Sequence, residues 1–188
     1  ELDYNSSFDM RKPVNEARTM SYTLNVIDSY TTTVISSTSE TGLSGENTSS
    51  ILSASLAKSA KKMTSEIQNA FSDILTRGRN VTVRIAIGAG CDFSLNDDSI
   101  IDEPYADWIV DYIKTHTVKG AYKMQRNTDK ELYFVNCRIP LLNEDGTQYG
   151  VYDWARDMSR SIRKNLGVKA SNKSQGLGEV LITLDGLN

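Results

Sequence analysis

One histidine, His116, and two cysteines, Cys91 and Cys137, are all the imidazole and thiol chemistry in this sequence. Nucleophilic catalysis needs a serine or cysteine beside a base, and a structural zinc needs about four nitrogen or sulfur ligands, so both are poorly supplied. His116 stands in Lys114-Thr115-His116-Thr117, where a helical pattern ends. A cation there complements the helix dipole, so capping is expected rather than catalysis. Cys137 alternates with Tyr133, Val135 and Ile139 and reads as a small buried hydrophobe. Cys91 is expected beyond a strand end, too far from Cys137 to form a disulfide.

Carboxylates and glycines offer more candidates. Asp92, Asp97, Asp98, Asp102 and Glu103 concentrate negative charge as a calcium site would, but the order and central glycine of a helix-loop-helix calcium loop are missing. A solvated acidic loop is expected. Gly88 and Gly90 follow a strand pattern, yet the third glycine of the dinucleotide fingerprint is absent and no Gly-Lys-Ser/Thr follows. Asp107 and Asp111 lie one helical turn apart beside Lys114 and read as solvent-facing. No catalytic residue, metal site or cofactor is assigned.

The elements that must position these residues follow from periodicity. Tyr22, Leu24 and Val26 alternate, a turn falls near Asp28 to Thr31, and Val34 and Ile35 resume among threonines, which predicts a β-hairpin over 20–38. Residues 40–50 read as a loop. From Ser50 to Arg77 the residues Leu52, Leu56, Ala60, Met63, Ile67, Ala70, Phe71 and Ile74 recur at three and four, and Gly78 stands at the C-cap. Val81, Val83, Ile85 and Ile87 then alternate as a strand. Tyr105, Trp108, Ile109, Tyr112 and Ile113 share a helical face behind Pro104.

Residues 120–142 read as two strands joined through Asn127-Thr128-Asp129-Lys130. Ala155, Met158, Ile162 and Leu166 line a helix ended by Gly167, and Val180, Ile182 and Leu184 form a last strand. The order from residue 79 onward is β-α-β-β-α-β, that of the ferredoxin-like superfold, with an antiparallel sheet and both helices on one face. The fold class is therefore α+β: a hairpin plus long helix over residues 1–78, then a ferredoxin-like domain over residues 79–188.

On this sheet Leu132, Phe134 and Leu181 are expected on the open side, as an apolar interaction patch or as ground covered by the N-terminal segment. RNA-recognition modules share the order of elements, and Arg156, Arg160, Arg163 and Lys164 adjoin on one helix. Those modules stack bases on several sheet aromatics. With Phe134 alone on the expected open face, nucleic acid is disfavoured.

A hydrophobic content of 39% with 24% charged residues and 3 prolines is ordinary globular composition, enough to build a core. The net charge of −3 gives no global pull toward nucleic acid or an anionic membrane. No apolar run approaches the ~18–20 residues of a membrane-spanning helix. The opening Glu1-Leu2-Asp3-Tyr4 reads as the middle of a strand, so upstream sequence, including any signal peptide or lipid anchor, is expected to be missing.

Two stretches carry a resemblance. YTLNVIDSYTTTVISSTSETG with the helix that follows, within residues 20–77, resembles the end of a TolB amino-terminal or curli-secretion-lipoprotein type of domain. RGRNVTVRI, THTVKGAY, VNCRIPLLNEDG, DWARDMSRSIRKNL and QGLGEVLITL, within residues 77–186, resemble an uncharacterised Bacteroidetes family, a domain of unknown function preceded by a TolB-like domain. The resemblance implies a Gram-negative envelope setting, periplasmic or lipoprotein, with another envelope protein as partner and a non-catalytic accessory or assembly role. The alternative is a module for a small ligand or nucleic acid. It further implies a candidate O-glycosylation site at Ser99, in Asp98-Ser99-Ile100, within a loop expected to be exposed.

Overall fold

A computed structural model describes residues 2–7, 18–45 and 48–187. The chain is α+β, and it divides into two compact units, Glu1–Ser72 and Asp73–Asn188.

The first unit holds strands β1 (Leu2–Ser7), β2 (Arg18–Ile27) and β3 (Val34–Gly45), antiparallel in the order β1-β2-β3, and most of helix α1 (Thr48–Arg77). The β2–β3 turn is held by Asp28, whose carboxylate accepts the Tyr30 amide at 3.0 Å and the Thr31 hydroxyl at 2.9 Å. β3 continues to Gly45, through residues whose Ser, Thr and Gly content predicted a loop; pairing with β2 overrides that weak local preference. Helix and sheet meet through hydroxyls as much as through Leu24, Leu52 and Leu56. Tyr22 shares a hydrogen bond with Ser55 at 2.8 Å, Thr38 with Ser59 at 3.0 Å, and Ser36 donates to Glu66 at 2.5 Å. Phe71, about 80° around the helix from the buried Met63, is 62% exposed.

The second unit is a five-stranded sheet in the order β5-β6-β4-β8-β7, formed by β4 (Arg79–Ile87), β5 (Lys123–Asn127), β6 (Glu131–Ile139), β7 (Val168–Ser174) and β8 (Glu179–Leu187). Helices α2 (Tyr105–His116) and α3 (Val151–Leu166) connect them. One core joins Val81, Val83 and Ile85 of β4, Phe134 of β6 and Ile182 of β8 to Ile109 and Ile113 of α2 and to Trp154, Met158 and Ile162 of α3. These strand residues alternate onto one face, so both helices cover that face.

The expected βαββα order holds, but the sheet is mixed rather than wholly antiparallel. β7 follows α3 as an additional strand, pairs antiparallel with β8, and thereby turns β8 parallel to β4. Its inward apolar residues are only Val168 and Ala170, followed on the same face by the half-buried Asn172, too little apolar sequence to announce a strand. Gln175 to Gly178 form the connecting turn, with the Gln175 amide donating to the Glu179 carbonyl at 2.9 Å.

The carbonyls at the end of α2 are closed by side chains, as a buried helix terminus requires. Thr115 donates to Asp111 O, Thr117 to Ile113 O, and the Trp154 indole to His116 O at 3.0 Å. His116 Nδ1 lies 2.9 Å from Tyr112 O, and its ring stacks on Tyr112 at 3.7 Å. α3 begins with the Asp153 carboxylate accepting the Gly150 amide and ends at Gly167 in the left-handed conformation.

Candidate interaction surface

The sheet face turned away from α2 and α3 is built by a register that simple alternation along β6 does not give. Val81 pairs with Cys137 but Val83 with Phe134, so Val135 and Asn136 together oppose Thr82. This is a β-bulge, with Asn136 at φ +54, and it exchanges the faces of β6 halfway along. Leu132 and Phe134 before it, and Cys137 and Ile139 after it, all point into the core, each 0% exposed.

The expected patch of Leu132, Phe134 and Leu181 is thereby corrected. Leu132 and Phe134 are core residues, with Tyr122 packed edge-on against the Phe134 ring. Leu181 does lie on the open face, half-buried, with Arg84 of β4 and Lys173 of β7 directly opposite it, while β6 presents Tyr133 and Val135 on the same face.

Following the pairings from strand to strand gives one row across the open face. Arg126 of β5 opposes Tyr133 of β6, Tyr133 opposes Arg84 of β4, Arg84 opposes Leu181 of β8, and Leu181 opposes Lys173 of β7. Adjacent strands lie about 4.8 Å apart, so the row spans roughly 19 Å and alternates cation with apolar or aromatic side chain. Glu131 accepts hydrogen bonds from both Arg84 Nε and Arg126 Nη1, the latter at 2.6 Å. The Arg126 guanidinium also sits 5.9 Å from the Tyr133 ring centroid. Glu131 is 15% exposed while the two arginines are 41% and 56% exposed, so a sheltered carboxylate orients two accessible guanidinium groups. The Arg126 hydrogen bond, joined by Arg84, outweighs partial burial and holds the Glu131 carboxyl below the usual range.

By pairing and alternation the same face carries Lys123, Lys169, Glu179 and Asp185. Arg138, also on this side, donates to the Gly78 carbonyl at 3.0 Å and to Asp73 at 2.9 Å. Burial pushes the Asp73 carboxyl up, but the Arg138 hydrogen bond and charge, with Arg77, prevail and hold it below its ordinary value.

The remaining candidates fall elsewhere. Asp98-Ser99-Ile100 lies in the loop between β4 and α2, but Ser99 is only 6% exposed, which corrects the expectation of an accessible acceptor. The loop folds around it: the Ser99 amide donates to Glu103 O at 2.9 Å, and its hydroxyl oxygen accepts the Ile101 amide at 3.4 Å. Around that serine, Asp92, Asp97, Asp98 and Asp102 are exposed. Among the described residues no three carboxylate, imidazole or thiol groups converge on a metal-sized site. Both cysteines are free thiols, and burial pushes the Cys137 thiol up to about 12.

A second polar cluster lies between α2 and α3. The Tyr149 hydroxyl donates to Asp157 at 3.0 Å, and burial together with that carboxylate raises Tyr149 far above the usual phenol range. Burial likewise raises Tyr112. The Tyr149 hydrogen bond fastens the loop ahead of α3 to the second turn of that helix. Sequence reasoning misses Tyr133, Arg84 and Arg126 as a group because the alternation that buries Cys137 and Ile139, carried back along β6 through the bulge, turns Tyr133 inward. A polar Asn136 interrupting an apolar strand was the available signal.

No curated protein and no solved structure matches the chain significantly. A family model described as a domain of unknown function (DUF6175) matches residues 79–185, more than half of the chain and nearly all of the second unit. The chain therefore belongs to the family of that domain of unknown function, DUF6175.

Proposed function

We propose that this chain is a non-catalytic accessory or assembly module of the cell envelope that acts by protein–protein contact through the open face of its second sheet. The observation that carries this reading is the row Arg126, Tyr133, Arg84, Leu181 and Lys173, where oriented cations alternate with apolar or aromatic side chains on one rigid surface. Mixed apolar and charge-bearing surfaces with arginine and tyrosine are what protein interfaces favour. The envelope setting rests on the likeness of the sequence stretches quoted above, and periplasmic or lipoprotein location is part of the proposal.

A photo-crosslinking amino acid at Thr82, on the open face, tests this in the native host, with Glu144 in an exposed loop as control. The expected result is a discrete adduct with another polypeptide from position 82, absent from position 144 and lost on Leu181→Asp. Equal adducts from both positions, or none from position 82, refute the reading.

The same cations supply a second reading, a module for nucleic acid or a small anionic ligand, since guanidinium groups bind phosphate as readily as carboxylate.

A further inference from the structure

The geometry points to a polypeptide segment in the polyproline II conformation, with a carboxylate at every third residue, as the occupant of the open face, docking across the strands along Arg126, Tyr133, Arg84, Leu181 and Lys173. This inference rests on the protein-contact reading and adds the chemistry of the partner.

The spacing comes from the sheet itself. Cations occupy every second strand of the row, β5, β4 and β7, and therefore recur at about 9.6 Å. A polyproline II segment has three residues per turn and rises about 3.1 Å per residue, so its every third side chain points the same way about 9.3 Å further on and meets the next cation. The stretch between successive carboxylates crosses Tyr133 and Leu181, with Ala86 and Val135 close by on the same face, and apolar residues suit that stretch. Arginine presents a planar fork that pairs with a carboxylate through two parallel hydrogen bonds. Here Glu131 already restrains Arg84 and Arg126, so less side-chain freedom remains to be lost when a partner binds.

The chain as a whole has net charge −3, so attraction for an acidic partner has to come from a local surplus of cations. On the face itself Arg84, Arg126, Lys123, Lys169 and Lys173 outnumber Glu131, Glu179 and Asp185. Those three carboxylates also discriminate between anions. A nucleic-acid backbone carries charge at every step and would pass over them, whereas a polypeptide can place its carboxylates at the cations alone. Base stacking is further opposed because the Arg126 guanidinium already lies against the Tyr133 ring.

The test is fluorescence anisotropy of the full chain with a labelled synthetic peptide of about ten residues bearing Glu at every third position and Pro and Ala between. Its partners are the same peptide with Gln for Glu and a single-stranded oligothymidine of equal length. The Glu peptide is expected to bind about tenfold more tightly than the Gln peptide, with affinity falling between ~0.05 M and ~0.3 M salt. Lys173→Glu, at an exposed edge position, is expected to weaken it about fivefold without changing the thermal midpoint, and Arg84→Gln to weaken it also. Equal affinity for the Glu and Gln peptides, an unaffected Lys173→Glu, tighter binding of oligothymidine, or no peptide binding overturns the inference. If the peptide fails while position 82 still crosslinks to a polypeptide, only the partner chemistry falls; if both fail, the contact reading falls with it.

Discussion

Replacing Gly78 with alanine probes how closely the backbone ahead of β4 packs against the end of β6 within the second unit, and Gly90→Ala supplies the comparison that makes the result interpretable. Both glycines have positive φ, +79 and +85. An L-residue in that region costs roughly 1–2 kcal/mol at either position. The two differ in space. A Cβ at Gly78 would lie 2.5 Å from the Ile139 carbonyl oxygen and 2.9 Å from Val118 Cγ2, whereas nothing lies within 4 Å of one at Gly90. The Ile139 carbonyl cannot easily yield, because Ile139 pairs with Arg79 in the sheet and Arg138 is anchored on the Gly78 carbonyl. Forcing an atom into packed surroundings costs about 1–3 kcal/mol, so Gly78→Ala should lose roughly 2–5 kcal/mol in total. Gly90→Ala should lose only the conformational share, about 1–2 kcal/mol. Urea unfolding followed by tryptophan fluorescence reports on the right unit, since Trp108 and Trp154, the chain's two tryptophans, both belong to the second. Equal losses at the two glycines would refute the steric argument and with it the close approach of the Gly78 backbone to β6.

The bulge predicts that Phe134→Ala costs about 3–5 kcal/mol while Leu181→Ala costs about 1 kcal/mol or less in the same urea assay; the reverse order would restore the alternating register. Asp73 has its folded-state pKa depressed, so its contribution to stability is present above the ordinary carboxylate value and lost as pH falls through the lower folded value. Asp73→Asn should therefore destabilise at pH ~7 and leave a shallower loss of stability below pH ~4, whereas identical acid limbs would show that the Arg138 pairing contributes nothing. Brief alkylation of native protein at pH ~8, read by peptide mass spectrometry, should label the half-exposed Cys91 and spare Cys137, whose thiol is raised to about 12 by burial; equal labelling would mean the core opens there.

Where periodicity had enough residues to speak, the sequence was readable. The β2–β3 turn, the long α1 with Gly78 behind it, the apolar face of α2 and the Gly167 stop of α3 all rest on local chemistry that tertiary structure had no reason to override. His116 was legible as a helix-end residue because its neighbours already marked a C-terminus. β7 was not legible, since Lys169, Ser171 and Lys173 face outward and the inward positions hold only two apolar side chains beside the polar Asn172. An edge strand needs little apolar content when its partner β8 supplies the ladder. That short strand has a global consequence, because one additional antiparallel pairing reverses β8 and makes the central β4–β8 pair parallel.

The candidate site was lost for a comparable reason, a local event with a long reach. Side chains on a strand alternate strictly, so one inserted residue exchanges inside and outside for everything beyond it. Asn136 absorbs that insertion at a positive φ that asparagine tolerates better than most residues, and it leaves its own side chain in solvent. Without the bulge, burying Cys137 and Ile139 would expose Leu132 and Phe134 and send Glu131 and Tyr133 into the core. With it, β6 contributes four apolar side chains inward and still places Glu131 outside, where Arg84 and Arg126 meet it. The bulge thus satisfies the core and builds the charged row in one step, which is why neither could be read correctly from the alternating pattern alone.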